Sequence, residues 1–267
     1  KGLMKADNAS PGVISCTEDT WKNHVRFYFR PKTPTQFRNE GIRPVSNRAL
    51  ESHCAIPIFL LFDAPDLLTR IETRYSDRTL AGSNPGNIGA DAKFFSELPF
   101  EYIYHNSRFE PEERDEIVSC RHAEIIVPNY VSLDSLKYIW CRSAAEKEML
   151  LSLVSTGASS RWANRIFQGK KYDLFEEKWS FIRTVQLTPI SVSMDFNRDT
   201  ITPGPYQLRL EIDVGDDQKL IYRDEEFLAN NKVQLRLKRA LGQYLVRIYL
   251  DEVLCYQNTL KAGDPIF

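Results

Sequence analysis

Short β-type segments recur through the C-terminal half of the chain, and they restrict its fold more than any other feature of the sequence. After about Gly169, runs of β-branched and aromatic residues alternate with turns that contain Asn, Asp, Gly and Pro. These runs cover residues 181–187, 190–196, 206–214, 233–237, 244–250 and 253–256. Six or seven short strands at this spacing predict an antiparallel sandwich of about one hundred residues, immunoglobulin-like in its general layout.

The first half of the chain has a different sequence pattern, in which strand-like and helix-like segments are mixed. Strands are predicted at residues 25–29 and 56–62, and the second is a continuous apolar run typical of a strand buried on both faces. A helix over residues 64–73 follows with Asp63 as its N-cap, and residues 133–153 predict one or two further helices. We therefore predict an α+β protein with two domains, a mixed β core with helices in residues 1–165 and the sandwich in residues 170–267.

Glu124 is a carboxylate within the apolar segment 121–127, Arg-His-Ala-Glu-Ile-Ile-Val, which predicts a strand with this residue at its middle. Strand alternation places His122, Glu124 and Ile126 on one face. A buried carboxylate without a partner is costly, so Glu124 requires either a structural ion pair with a nearby Arg or a role at the mouth of a cleft. The residues themselves leave both explanations open.

Composition argues against several classes of site. The formal net charge of -1 gives no whole-protein field that would attract nucleic acid or an anionic membrane, so nucleic-acid contact requires a local basic patch. The five cysteines lack C-x-x-C spacing and the four histidines contain no i, i+4 pair, so no metal site is predicted. The cysteines are typical of reduced residues in a cytoplasmic protein. No apolar stretch approaches the roughly 18 residues that cross a bilayer, so no membrane partner is predicted.

Several segments of the first half occur in an order that is found in one known family. They are Gly2-Leu3, the segment Phe-Tyr-Phe-Arg-Pro-Lys-Thr-Pro at 27–34, the apolar strand at 57–62, Tyr75-Ser76-Asp77 with the loop to Phe94-Phe95, and segment 121–127. The second is similar to a Phe-Tyr-Phe-x-Pro-Arg-Ser-Pro signature, and the last to Arg-Gln-Ala-Glu-Phe-Leu-Val, whose Glu is catalytic. Residues 1–155 thus resemble the DarT family of NAD-dependent DNA ADP-ribosyltransferases, the toxins of toxin–antitoxin pairs.

The resemblance implies an ADP-ribosyltransferase-like fold and an enzyme that transfers ADP-ribose from NAD to a nucleobase of single-stranded DNA. NAD is then a substrate, no metal is required, and a cognate antitoxin is an expected partner protein. The implied catalytic residues are Glu124 and Arg30, and the implied NAD-binding residues are Tyr28, Arg26 and Lys32. The segment before the catalytic strand is expected to present the nucleic acid through Tyr102, Tyr104, His105 and Arg108.

Two elements of the family pattern have no counterpart in the sequence. The family opens with a Tyr-His-x-Thr strand whose His helps to hold NAD, so we expect either such a strand before Lys1 or a remodelled or lost NAD site. The family also carries a catalytic Arg before the Phe-Tyr-Phe segment, and the interval from Asp7 to Asn23 contains no Arg. Arg26 and Arg30 are therefore the candidates to replace it.

Three functions fit these observations. The first is a transferase that modifies DNA, the second is the same fold acting on RNA, and the third is a degenerate, non-catalytic binding module. The strand around Arg26 has a second interpretation as well, in which its aromatic residues pack in the core and its charges are solvated. The sandwich is expected to serve in docking of the substrate or a partner, or in a purely structural role.

Overall fold

The computed structural model describes residues 21, 23–48, 54–81, 85–154, 157, 161–215 and 218–261. Gly2-Leu3 and the interval from Asp7 to Thr20 therefore lie outside the described residues. The chain divides into two compact units. The first holds the chain up to Arg38 together with Leu60–Lys137, and the second holds Asn39–Phe59 together with Tyr138 onward.

The predicted α+β class is confirmed, since several sheets and a smaller number of short helices make up the described chain. The helices are α1 (Pro34–Asn39), α2 (Ala64–Leu68), α3 (Ala92–Ser96), α4 (Phe100–Ile103), α5 (Arg114–Cys120) and α6 (Ala144–Leu153). The strands up to residue 168 are β1 (His24–Tyr28), β2 (Ile58–Phe62), β3 (Arg74–Ser76), β4 (Ile88–Gly89), β5 (Glu124–Pro128), β6 (Leu136–Cys141) and β7 (Ile166–Gln168). The later strands are β8 (Ile182–Thr188), β9 (Ser191–Phe196), β10 (Tyr206–Asp213), β11 (Lys219–Phe227), β12 (Lys232–Arg236), β13 (Tyr244–Leu250) and β14 (Val253–Leu260).

The first unit is built on an antiparallel sheet with the strand order β1-β5-β3-β4. Alternation along β5 directs Ile125 and Val127 into the core of this unit, where they pack with Tyr75 and Ile103. The predicted N-cap of α2 is also present, because the Asp63 carboxylate accepts a hydrogen bond from the backbone N–H of Asp66 at 3.4 Å. The opposite face of β5 is thereby left for Glu124.

Seven strands of the second unit form two antiparallel sheets, with the orders β11-β10-β13-β14 and β12-β9-β8. Their facing sides share one hydrophobic core, in which Val192 and Met194 from one sheet pack with Leu208 and Ile248 from the other. Full burial of each such side chain contributes about 1.5–3 kcal/mol. This core accounts for the regular alternation that the sequence shows in the C-terminal half.

Four predictions about individual elements were wrong. Glu124 begins its strand instead of occupying its middle, because the chain turns through residues 121–123 after α5. The run at 56–62 is not buried on both faces, since Leu60 is 49% exposed. Part of 133–153 forms the strand β6. The polar strand β11 was missed.

The compact units do not follow the predicted domain ranges. Most of β6, together with α6 and β7, lies before residue 170 yet belongs to the unit that contains the C-terminal sheets. Compact units group residues by proximity, so 1–165 and 170–267 stay a prediction for domains that fold independently.

A buried ion-pair triad organises the second unit around Arg142. Its guanidinium contacts Glu146 and donates to Glu40 Oε1 at 3.4 Å and to the Ala55 carbonyl at 2.9 Å. The side chains of all three charged residues are at most 3% exposed. Glu40 also accepts hydrogen bonds from the backbone N–H groups of Glu176 and Glu177. The triad therefore ties the segment after α1 to the β6–α6 turn.

We expect Arg142→Met to lower the free energy of unfolding by about 3–5 kcal/mol, because it leaves two buried carboxylates without their cation. Urea and thermal unfolding of the full chain measure the loss. Arg198→Met is the matched control, since the Arg198 side chain is 65% exposed and pairs at the surface with Asp195. Equal unfolding midpoints for the two variants would contradict a stabilising triad.

Candidate active site

Antiparallel pairing of β1 with β5 brings three chemically useful side chains to one face of the first sheet. Tyr28 stands opposite Glu124 and Arg26 stands opposite Ile126, so Arg26, Tyr28 and Glu124 share a face. Arg26 is the diagonal neighbour of Glu124, within reach of a long side chain. Its Nε donates a hydrogen bond to Glu124 Oε2 at 2.5 Å. The structural ion pair considered from sequence is therefore present.

Glu124 lies in an environment that disfavours its charge. The residue is 4% exposed, and its backbone N–H donates to Ser76 Oγ at 2.9 Å. Desolvation raises the pKa of the Glu124 carboxyl above its ordinary value, while the charge and hydrogen bond of Arg26 act in the opposite direction. A carboxylate with a raised pKa on an ordered strand is suited to accept a proton.

Tyr28 belongs to a small polar network beside the carboxylate. The pKa of Tyr28 is raised by desolvation and by Glu124, and lowered by Arg26 and by a side-chain hydrogen bond with Thr35. Thr35 Oγ lies 3.2 Å from His122 Nε2, and the Tyr28 and His122 rings meet edge to face with their centroids 6.3 Å apart. The Tyr28 ring is 43% exposed, so it can also contact a ligand.

The tautomer of His122 follows from its second contact. Nδ1 lies 2.9 Å from the Val118 carbonyl, which only accepts, so Nδ1 carries the hydrogen and Nε2 accepts from Thr35. Desolvation lowers the pKa of His122, which favours the neutral ring. Sequence reasoning placed His122 on the face of Glu124 but assigned it no role, and it missed Thr35 and Ser76. The signal for His122 was its predicted alternation with Glu124, although the structure has His122 in the turn that precedes β5.

The Arg30 guanidinium is buried and hydrogen-bonded, and the catalytic role of this residue stays a prediction. Arg30 is 8% exposed, and its guanidinium donates to the carbonyls of Ile103 at 3.1 Å and His105 at 2.8 Å and to Asn106 Oδ1 at 2.5 Å. Arg121 also donates to the His105 carbonyl. Most donors of Arg30 are thus used to hold the chain that leaves α4. This geometry supports a role for Arg30 in positioning the segment that follows α4.

Lys32 lies in the tight turn that leads from β1 into α1. Its φ of 56° is left-handed, and its backbone N–H donates to Gln36 Oε1 at 2.7 Å. This hydrogen bond fixes the backbone of the turn just before the helix begins. The structure gives no contact between Lys32 and Glu124, so its assignment to NAD stays a prediction.

The four predicted nucleic-acid residues differ in their exposure. Tyr102 packs against the core of the first unit, whereas Tyr104 is 50% exposed and stacks on Phe100 with ring centroids 6.1 Å apart. His105 Nε2 lies 3.1 Å from Ser107 Oγ, and its buried Nδ1 has no hydrogen-bond partner within the described residues. Arg108 is exposed. Tyr104 and Arg108 are thus the two of the four whose side chains are exposed.

No group of three or more His, Cys, Asp or Glu residues that could hold a metal ion occurs in the described ranges. No helix within those ranges is both long and apolar enough to cross a membrane.

The chain is similar to a known protein family and to solved structures of one of its members. A family model described as "ssDNA thymidine ADP-ribosyltransferase, DarT" matches residues 4–172. A structure of Thermus sp. 2.9 DarT in complex with ADP-ribosylated ssDNA aligns with a TM-score of 0.50 and 14% identity, covering 65% of this chain and 82% of that chain. At this identity the likeness shows the fold alone.

The same Thermus sp. 2.9 protein was also found in two complexes with nicotinamide nucleotides. The complex with carba-NAD+ has a TM-score of 0.46 and 15% identity over 58% of this chain and 74% of that chain. The complex with NAD+ has a TM-score of 0.45 and 16% identity over 58% of this chain and 73% of that chain. A comparison with curated protein sequences found no match.

We expect Arg30→Lys to accelerate amide hydrogen exchange in residues 103–107 by about tenfold or more, because Lys cannot reproduce the forked set of hydrogen bonds. Mass-spectrometric exchange on the full chain measures it. Arg38→Lys is the control, since Arg38 is an exposed cation on the same stretch of chain. Unchanged exchange in Arg30→Lys together with lost enzyme activity would favour a catalytic role instead.

Proposed function

The chain belongs to the DarT family of single-stranded-DNA thymidine ADP-ribosyltransferases, and we propose that Glu124 is the catalytic residue of its NAD-dependent transfer. The observation that carries this assignment is the buried Glu124 carboxylate, with its raised pKa, on a sheet face shared with Arg26 and Tyr28. The family description names thymidine, which the sequence left open. It favours a DNA-modifying enzyme over the RNA-modifying and non-catalytic alternatives.

The chemistry explains why a carboxylate is needed. The bond between nicotinamide and ribose breaks with its electron pair passing to nicotinamide, which leaves as a neutral ring. The ribose carbon becomes oxocarbenium-like, and nearby negative charge stabilises it. The thymine base then forms the new bond to that carbon and loses a proton, which Glu124 accepts. One carboxylate thus both stabilises the positive charge that develops on the ribose and accepts the proton that thymine loses.

Arg26 is the better candidate for the family's catalytic Arg than Arg30. Arg26 contacts the Glu124 carboxylate directly, while the Arg30 guanidinium is engaged by backbone carbonyls. We assign Arg26 the task of holding the carboxylate and keeping it ionised, which replaces its predicted role in NAD binding. The half-exposed Tyr28 ring is available to stack on nicotinamide, and Lys32 is the proposed cation for the pyrophosphate.

Tyr104 and Arg108 are proposed to receive the DNA strand. An exposed aromatic ring stacks on a base and an exposed guanidinium pairs with a phosphate, and these contacts suit single-stranded nucleic acid. A single strand is also required by the chemistry, since the reacting edge of a thymine within a duplex is paired. His105 is proposed to contribute through its partly buried ring.

We infer two further properties from the family and the topology. The chain acts as the toxin of a toxin–antitoxin pair, as the family resemblance implies, and an antitoxin protein is its expected partner. The seven C-terminal strands form an immunoglobulin-like sandwich, which the shared core of the two antiparallel sheets supports. Docking of the DNA substrate or of the antitoxin is the proposed role of this sandwich.

We expect Glu124→Gln to reduce transfer of labelled ADP-ribose to a thymidine-containing single-stranded oligonucleotide by about 10²–10⁴-fold. Gln keeps the shape of the side chain but neither carries the charge nor accepts the proton. Glu101→Gln is the control, because Glu101 is exposed on α4. Undiminished transfer by Glu124→Gln would refute the assignment, and equal labelling of a matched RNA would refute specificity for DNA.

The pH dependence of the same reaction tests the role of Arg26. Transfer requires the ionised carboxylate, so kcat/KM falls as the pH drops through the raised pKa of Glu124. Removing a cation that lowers this pKa raises it further, so we expect Arg26→Gln to move the acidic limb of the profile to higher pH. Arg114→Gln, which removes an exposed cation from α5, is expected to leave the limb in place. An unshifted limb in Arg26→Gln would contradict the proposed pairing.

A further inference from the structure

The nine-residue strand β11 forms an unprotected edge of the second unit. Its sheet has the order β11-β10-β13-β14, and no described strand other than β10 pairs with β11. The opposite edge is covered, because Tyr256 of β14 donates to Glu148 of α6 at 3.0 Å and Ser152 of α6 donates to the Gln257 carbonyl. Backbone donors and acceptors on the outer side of β11 therefore face solvent.

Consecutive apolar side chains accompany this open edge. Leu220 is 44% exposed, Ile221 is 49% exposed and Tyr222 is 41% exposed. Pairing with β10 places Leu220 and Tyr222 on the core side of the sheet, opposite the buried residues Ile212 and Leu210. Leu220 and Tyr222 thus point toward the core side of the sheet and yet remain exposed. They form an apolar strip beyond the end of the core. A long exposed edge of this kind favours addition of another strand.

The charges of β11 are segregated along its length. Lys219 opens the strand and Arg223 lies at its centre, and Asp224, Glu225 and Glu226 follow toward its end. An antiparallel copy of the same strand would place its acidic end against the basic end of the first. This charge complementarity identifies a second copy of the chain as the occupant.

We propose that the protein forms a homodimer in which β11 pairs antiparallel with β11 of a second copy, about a two-fold axis at Tyr222. This register sets Lys219 opposite Glu225 on both sides of the axis, Ile221 opposite the aliphatic stem of Arg223, and Tyr222 opposite its own copy. A centre at Ile221 would oppose Lys219 to Arg223, and a centre at Arg223 would oppose that cation to itself. Of the two-fold registers that pair five or more residues of β11, only the Tyr222 register avoids like charges.

The oligomeric state of the full chain provides the first test. Light scattering with size-exclusion chromatography is expected to show a dimer, and Tyr222→Lys is expected to abolish it by opposing two ammonium groups at the axis. Ile190→Lys is the control, because Ile190 is exposed outside β11. A monomeric parent chain, or a dimer that persists in Tyr222→Lys with unchanged circular dichroism, would overturn the proposal.

Charge reversal tests the register. Lys219→Glu and Glu225→Lys are each expected to weaken the dimer by about tenfold, because each creates two like-charge pairs. The double variant restores the pairs with their signs exchanged and is expected to recover the parent affinity. Failure of the double variant to recover would overturn the Tyr222 register.

Oxidative cross-linking provides a second measurement of the register. Directly opposite residues have Cα atoms about 4.5–5.5 Å apart, within the disulfide range, so Tyr222→Cys is expected to form a covalent dimer. In the same register the two copies of residue 223 are about 8 Å apart, so Arg223→Cys is expected to remain uncross-linked. The parent chain under the same oxidation controls for its own cysteines. Cross-linking of Arg223→Cys in place of Tyr222→Cys would overturn the proposal.

Discussion

The register between β1 and β5 is the constraint on which the candidate active site depends. Because side chains alternate along a strand, a slip of one residue would carry Glu124 to the opposite face from Tyr28 and Arg26. The core on the other face resists such a slip, since Ile125 and Val127 would then have to leave it. Ser76 on β3 holds the backbone of Glu124 from the second side. Apolar packing on one face thus fixes the polar chemistry on the other.

The ion pair between Arg26 and Glu124 balances two opposing effects. A buried carboxylate with no partner costs several kcal/mol, and a short contact with a guanidinium offsets part of that cost. Solvent screens the contribution of Arg26, because about a third of its side chain is exposed. The net result is a carboxyl whose pKa stays above its ordinary value. The ion pair, which the sequence presented as an alternative to a catalytic role, is therefore compatible with the proposed catalytic role of the same residue.

Local patterns predicted those elements in which apolar and polar residues follow one clear pattern. The alternating run of β10 and the capped start of α2 at Asp63 belong to this group. β11 was missed because charged residues follow its short apolar segment, and β6 because its mixture of charged and apolar residues also fits a helix. For Arg30, the sequence names a cation but not the carbonyls that surround it. Non-local hydrogen bonds of this kind are the part of the site that sequence reasoning could not reach.

The boundary of the family match does not coincide with a boundary of packing. The match ends at residue 172, yet α6 packs with strands that follow it in the chain. Ser143 at the start of α6 donates to the Ile182 carbonyl at 2.7 Å, and Ala145 and Met149 are buried with the core of the two C-terminal sheets. A chain that ended at residue 172 would expose the Ala145 and Met149 side chains. It would also lack the backbone N–H groups of Glu176 and Glu177, which hold Glu40, the ion-pair partner of Arg142. The C-terminal sheets are therefore structural support for the end of the region that matches the family.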